Sequence, residues 1–556
     1  MSGCSWLPLI LMLAASPAPP ADMVLLSAKI WTGEAKRPEA QALAVVDGRI
    51  MAVGTNREIS RRRGPGTLVL DGRRRRVVPG FIDSHAHMAM GGFNLDAVDL
   101  RRTKDQADFT RKLAAYAATK PEGQWLTDGT WDHEVWTPPR LPTREMLDPA
   151  TAERPTCLSR SDGHMMVCNS LALRIAGIKR ETPDPPGGVI VRDASGEPAG
   201  VLKDAAMDLI WAVRPARTQP EIEEALRAAT RHAARFGVTS VQDLAGLAEL
   251  DAWEALRREG GLTLRVNLRL PLTTWEAAKT SREERRQDEW LRVGGVKGFA
   301  DGSLGSTTAL FFEPYRDDPK TSGIYAAEAI PLSKMEERVV AADAAGLQIE
   351  IHAIGDRANA EVLDLFERVA KKNGPKDRRF RIEHAQHLRP QDVPRFAHLG
   401  VIPSMQPYHA IDDGRWAEKR IGPERCRTTY AFRSLLNGRA RLAFGSDWDV
   451  APISPILGIH AAVTRRTLDG KNPRGWVPEQ KITVAEALRA YTASAAWAVF
   501  EEKEKGTLAP GKLADFVILS RDPFSVAPGE IEKIAVETAV VGGRVVHDLG
   551  RASASK

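Results

Sequence analysis

Cysteine is scarce in this chain: four residues in 556, at positions 4, 157, 168 and 426. No Cys-x-x-Cys occurs, which removes a thiolate zinc site, and so small a set makes no disulfide framework. Aromatic residues are only 6% of the chain. Beyond Ala21 there is no apolar run near the ~20 residues that a membrane span needs. An excess of one sign of charge is also missing. The 78 basic residues outnumber the 72 acidic ones by six, too few over this length to signal a nucleic-acid partner. Gly-x-Ser-x-Gly, His-Glu-x-x-His and a Walker-type lysine loop are all absent, so those chemistries lack support. Gly64 and Gly66 alone make no dinucleotide fingerprint. What is present is an ordinary globular composition, 43% hydrophobic and 27% charged, in a chain long enough for a large core with satellites.

Leu7 to Ala15 is apolar except for Pro8 and is followed by Ser16-Pro17-Ala18. That is the length of a signal-peptide core before small residues suited to cleavage, although Met1 to Trp6 lacks lysine and arginine. Residues 1–21 are therefore read as an export segment, giving a periplasmic or secreted protein; a mis-assigned start would leave it cytoplasmic. The mature chain then keeps three cysteines, and a Cys157–Cys168 bridge is open to an exported protein.

The two ends share a grammar of short strands and glycine turns. Ala42 to Val46, Asp47-Gly48 and Arg49 to Gly54 form one hairpin signal; Val536 to Val541, Gly542-Gly543 and Arg544 to Val546 form another. Neither end can bury its own core, so residues 22–79 and the stretch from 479 to 556 are expected to build one small β-sandwich. Between them lie eight short β-rich runs separated by helix-like segments: Val77 to His87, Phe236 to Leu244, Leu262 to Leu270, Val293 to Asp301, Gln348 to Gly355, Arg379 to Gln386, Gly400 to Tyr408 and Arg441 to Asp447. Eight βα units predict an α/β fold, a (β/α)8 TIM barrel over about 80–478. The gap between the first two runs is too long for one βα unit, so about 103–215, rich in tryptophan, proline and glycine, is read as an insertion or lid on the catalytic side.

Histidines stand where these runs end. Asp83-Ser84-His85-Ala86-His87 closes the first, and imidazoles two apart on a strand face the same side. His352, His384 and Asp447 close or lie near the ends of the fifth, sixth and eighth runs, the end where barrel enzymes place catalysis. Imidazole and carboxylate ligands suit zinc or another borderline divalent ion, which can lower the pKa of bound water from about 15.7 toward about 7.

The strings Pro79-Gly80-Phe81-Ile82-Asp83-Ser84-His85-Ala86-His87, Ile351-His352-Ala353-Ile354-Gly355-Asp356, Arg381-Ile382-Glu383-His384 and Gly445-Ser446-Asp447 resemble the metal-dependent amidohydrolase superfamily. Lys297-Gly298-Phe299-Ala300-Asp301-Gly302-Ser303-Leu304-Gly305, with Asp162-Gly163-His164, Asn169-Ser170 and Pro185-Pro186-Gly187-Gly188, is similar to its YtcJ-like branch, which includes N-substituted formamide deformylases. The resemblance implies a barrel with a terminal β-sandwich. It also implies two metal ions: His85 and His87 on one, His352 and His384 on the other, and a carboxylated Lys297 bridging them. Asp447 would bind the first ion and move protons. A free ammonium has no lone pair to donate, so Lys297 bridges only as a carbamate; an unmodified lysine beside a single-ion site is the alternative.

The implied reaction is hydrolysis of an amide or formamide C–N bond by metal-activated hydroxide. Other readings of the same site are a cyclic amide or imide hydrolase, a deaminase or an esterase, with a non-catalytic metal-binding regulatory protein behind them. Asp162, His164 and Trp131 are the candidate substrate contacts, with Trp136 considered for an apolar wall and His387 and His409 for substrate or support. His133, His232, His398, His460 and His547 are read as structural or exposed. The expected partner is a small-molecule amide, with no nucleic acid and no stable membrane span; a homodimer is left open. The basic cluster of Arg61 to Arg63 and Arg73 to Arg76 falls at turns and is read as a solvated hairpin edge.

Overall fold

A computed structural model describes residues 19–550. Residues 1–18 of the expected export segment lie outside the described residues. Ala21, at its end, is buried and donates its N–H to the Arg62 carbonyl at 2.8 Å. Among the described residues no helix is long and apolar enough to cross a membrane.

Eight parallel strands form the central sheet: β1 (Phe81–Ala86), β2 (Val238–Leu244), β3 (Arg265–Pro271), β4 (Leu291–Phe299), β5 (Gln348–Ala353), β6 (Arg381–His384), β7 (Ile402–Met405) and β8 (Ala443–Phe444). Neighbours in sequence are neighbours in the sheet. Closure runs just past β8: Asp447 N–H donates to the His85 carbonyl, and His87 N–H to the Trp448 carbonyl, both at 2.7 Å. Each of the eight predicted runs contains a barrel strand, and the fold is the expected (β/α)8 barrel. The helix Gln219–Arg235 shows why the βα rhythm was readable. Thr218 and Glu221 form a capping box at its start, Ile222, Leu226, Ala229 and Ala233 bury one face, and Gly237 follows with φ +73°.

The first predicted run is two strands. Arg76–Pro79 belongs to the sandwich, and β1 follows after Gly80. A Cβ on Gly80 would lie 2.2 Å from Thr239 Oγ1, so only glycine lets the chain pass from one sheet to the other beside β2. In the sandwich, Arg76–Pro79 pairs antiparallel with Phe516–Leu519 from the far end of the chain. Met23, Leu25, Leu43 and Val45 of one sheet pack with Ile30, Val77, Phe516, Ile518 and Val540 of the other. The Asp47-Gly48 hairpin is present, with φ of +49° and +72°. Arg76 departs from the expected solvated edge: it is buried and paired with Glu39 and Asp522, each at 2.8 Å.

The insertion starts earlier than expected. Val98–Leu100 already pairs with Gly129–Trp131, and a six-stranded sheet runs on through Cys157–Arg160, Met165–Cys168, Pro198–Asp204 and, at the edge, Gly188–Arg192. It has apolar clusters of its own, one built on Leu100, Phe109, Trp131 and Trp136, another on Met166, Leu202 and Ile210. Cys157 and Cys168 face each other on adjacent antiparallel strands and are bonded.

Candidate metal centre and active site

Strand alternation brings His85 and His87 to the barrel mouth, with ring centroids 5.4 Å apart. Their Nε2 atoms lie 3.2 and 3.1 Å from the same oxygen, Asp447 Oδ1. Gly445 makes this approach feasible, because a Cβ there would meet the His85 backbone nitrogen at 2.6 Å. His384 stands 5.3 Å from His85 and 4.6 Å from His352, ring to ring. Ligand atoms of His85, His384 and Asp447 all lie within 4.8 Å of one another. Lys297, on β4, is only 4% exposed. Its Nζ has no hydrogen-bond partner among the described residues and lies 4.6 Å from the Phe299 ring centroid. All six residues that the sequence singled out thus converge on the C-terminal mouth of the barrel.

The local backbone is unusual. His384 and Asp447 have φ of +73° and +57°, a region that costs a side-chain-bearing residue on the order of 1–3 kcal/mol. At His384 this breaks strand alternation, so Glu383 and His384 both face inward. Glu383 Oε2 lies 2.7 Å from His85 Nδ1, and its other oxygen lies 2.8 Å from Arg381 Nη2. Arg381 in turn meets Glu350 at 2.8 Å, and Glu350 meets Arg269, all deep in the barrel. Gln406 Oε1 stands 2.8 Å from His384 Nδ1. Glu383 and Gln406 therefore orient two imidazoles through their far nitrogens, the usual arrangement around ligating histidines. Asp301 accepts backbone N–H bonds from Leu310, Ile354 and Gly355 at 2.7, 3.0 and 2.8 Å and fastens the β4 and β5 loops together.

Charge within the cluster follows from burial and neighbours. Burial holds His352 and His384 well below the ordinary imidazole range, in the neutral form that ligates metals. Burial and the Lys297 ammonium disfavour protonated His85, yet Asp447 and Glu383 together lift it above its usual value. Asp447 would be raised by burial, but the facing imidazoles hold it well below the carboxylate range. Burial also depresses Lys297. A divalent ion would relieve this assembly, in which buried imidazoles, a carboxylate and an amine confront one another. The donor set fits a metal.

His384 and Asp447 of this cluster front a chamber of about 60 Å³. Asp162 and His164 of the insertion both line it. Asp162 pairs with Arg160 at 2.7 Å and accepts hydroxyl bonds from Ser303 and Ser306; burial would raise it, but Arg160 and His164 hold it down at about 2. His164 Nδ1 meets Asp204 at 2.7 Å, and its ring lies 4.9 Å from His352. Trp131 is a correction. It is wholly buried in the insertion's own core, with its indole N–H donated to the Leu158 carbonyl at 2.7 Å. Trp136 shares that core. The tryptophan in the chamber wall is Trp416, which sequence reasoning missed because nothing local marks it. His409 lines the chamber, whereas His387 is buried against Thr429 and Gln386. His133 is buried and pushed down to about 2 by burial and the Arg160 guanidinium.

The profile of the "Amidohydrolase family" matches residues 69–547. Protein LONG AFTER FAR-RED 3 of Arabidopsis thaliana is 40% identical over 541 residues, spanning 95% of this chain and 92% of the relative. The putative amidohydrolase YtcJ of Bacillus subtilis is 32% identical, spanning 93% and 98%. An N-substituted formamide deformylase of Arthrobacter pascens is 29% identical, spanning 94% and 97%. Among solved structures, an uncharacterized metal-dependent hydrolase from Pyrococcus horikoshii superposes with a TM-score of 0.74 at 29% identity, covering 91% of this chain and 99% of that one.

Proposed function

The chain belongs to the amidohydrolase family, and from that premise we propose that it hydrolyses a carbon–nitrogen bond in a small amide or formamide. The observation that carries this reading is the convergence of His85, His87, His352, His384 and Asp447 around an unpartnered, buried Lys297. We assign His85, His87 and Asp447 to one divalent ion and His352 and His384 to a second, with zinc the first choice for imidazole and carboxylate donors. Lys297 would join them as a carbamate: its amine nitrogen bonds to the carbon of carbon dioxide and releases one proton. Bound ions would supply Lewis acidity, polarising the substrate carbonyl and making water a nucleophile near neutral pH.

The protein's own part is orientation and proton transfer. Glu383 and Gln406 fix His85 and His384. Asp447, kept anionic, accepts the proton of the attacking water and returns it to the leaving nitrogen, so the amine departs neutral. His164, held by Asp204, sits beside His352, where it can donate a hydrogen bond to the substrate carbonyl. The similarity to a formamide deformylase favours a small acyl group. We also propose export: the Cys157–Cys168 bond supports that reading, because such bonds persist in oxidising compartments.

The test is a panel of formamides, N-acyl amino acids, cyclic imides and esters, assayed on metal-loaded protein for release of amine or acid. Formamides or linear amides should turn over best. Asp447→Asn should retain most bound metal and lose at least about 100-fold in kcat; wild-type-like turnover in that variant would remove the proposal.

A further inference from the structure

A second cavity, of about 460 Å³, adjoins the small chamber and shares Arg160, Ser161 and Val450 with its wall. That is the size of a pocket for a small organic ligand. Asp449, two residues past Asp447, stands at the shared end: Asn94 donates to its Oδ2, its Oδ1 is buried without a hydrogen-bond partner among the described residues, and His87 lies close enough to act on its charge. Away from the chamber the lining turns apolar and aromatic, with Met90, Phe93, Trp211 and Ile222. The charges there are nearly balanced. Arg160 is held by Asp132 and Asp162, and Arg217 by Asp128 at 2.5 Å. Glu249 is occupied by the N–H of Gly246 at a helix start.

Arg214 is the exception. Its guanidinium lies over the Trp211 ring, 4.3 Å from the centroid, and no ion pair joins it to any carboxylate among the described residues. It is half buried and next to the positive Arg217, which together disfavour its charge more than the nearby Asp128 carboxylate, already paired with Arg217, supports it. A stacked, partly desolvated guanidinium suits an anionic group, preferably a planar carboxylate that takes its two parallel N–H donors.

Resting on the hydrolytic reading above, we infer that the larger substituent of the substrate is an apolar, aromatic arm that ends in a carboxylate, with Arg214 as the residue that recognises it. The small chamber takes the short acyl side. The unpartnered Asp449 oxygen accepts the amide N–H, and the arm runs between Phe93 and Trp211 to the guanidinium. Arg214 determines specificity and takes no part in bond breaking.

The experiment compares the N-formyl derivative of 4-(aminomethyl)benzoate with that of its methyl ester, using the full-length metal-loaded protein, Arg214→Met and Arg214→Lys. Methionine keeps the apolar stem on Trp211 and removes the charge. Wild type should prefer the anion by about tenfold or more in kcat/KM, the scale of a charge-assisted hydrogen bond. That preference should vanish in Arg214→Met and return in part in Arg214→Lys. No preference in wild type, or a preference that survives in Arg214→Met, would overturn the inference. Calorimetric binding of 4-(aminomethyl)benzoate needs no turnover. Arg214-dependent binding without hydrolysis of any substrate would sink the hydrolytic reading and support this one; hydrolysis of both compounds without Arg214 dependence would do the reverse.

Discussion

Glu383 ties the candidate metal cluster to the barrel interior, because one oxygen orients His85 and the other meets Arg381. A glutamine there offers a single acceptor for two donors. Glu383→Gln should therefore lower metal affinity by about 10–100-fold, read by competition with a chelator; unchanged affinity would mean that His85 needs no such partner. Asp413 supplies a pH test. Burial raises it to about 7, although Tyr430 and Gln386 both donate to its Oδ2 at 2.6 and 2.8 Å. A carboxyl raised on folding contributes stability that is complete below its unfolded value of 3.8 and is lost as pH rises through about 7. Asp413→Asn keeps an acceptor for both donors and should flatten this part of the pH–stability profile, measured as melting temperature between pH 4 and pH 7. At this scale the sequence was readable wherever a side chain announced its chemistry: four histidines, Asp447 and Lys297. Glu383 lay next to His384 in a quoted string, but regular alternation assigns neighbours to opposite faces, and only the left-handed backbone at His384 brings both inward. Gln406, Asp301 and Trp416 gain their roles from tertiary placement alone.

The element that shapes the site most is the hairpin Cys157–Arg160, turn, Met165–Cys168 in the insertion. Its turn carries Asp162 and His164 into the chamber, and its base is closed by the Cys157–Cys168 bond. Replacing both cysteines with serine should cost on the order of 2–4 kcal/mol of stability. Because a looser hairpin frees Asp162 and His164, KM should rise while bound metal stays constant. Equal KM with lowered stability would confine the bond to folding. The barrel strands were legible one by one because buried parallel strands are short, apolar and regularly spaced. The insertion's start was misplaced because Val98–Leu100 has only three residues, too few to show a period. Trp131 misled for a related reason: composition marks a tryptophan-rich region but does not say which rings fill that region's own core.

Across the whole molecule, the sandwich and the barrel depend on each other. Arg76–Pro79 lies between Lys29–Trp31 and Phe516–Leu519, and it continues through Gly80 directly into β1, which carries His85. Arg265 of β3 is pinned to Asp515 by bonds of 2.7 and 3.0 Å, so the C-terminal strands also grip the underside of the barrel. A chain ended after Gly511 should fail to give soluble, metal-retaining protein; solubility and a melting curve decide. The pairing of the two ends could be anticipated, since neither had enough strands to bury a core alone. The same arrangement sets a timetable for synthesis. The polypeptide leaves the ribosome N-terminus first, so β1 and its histidines emerge early, but the strand that flanks their sandwich extension is among the last made. Until then an apolar sheet edge stands open, and the nascent chain needs a holdase or a fast final step to avoid pairing with its neighbours.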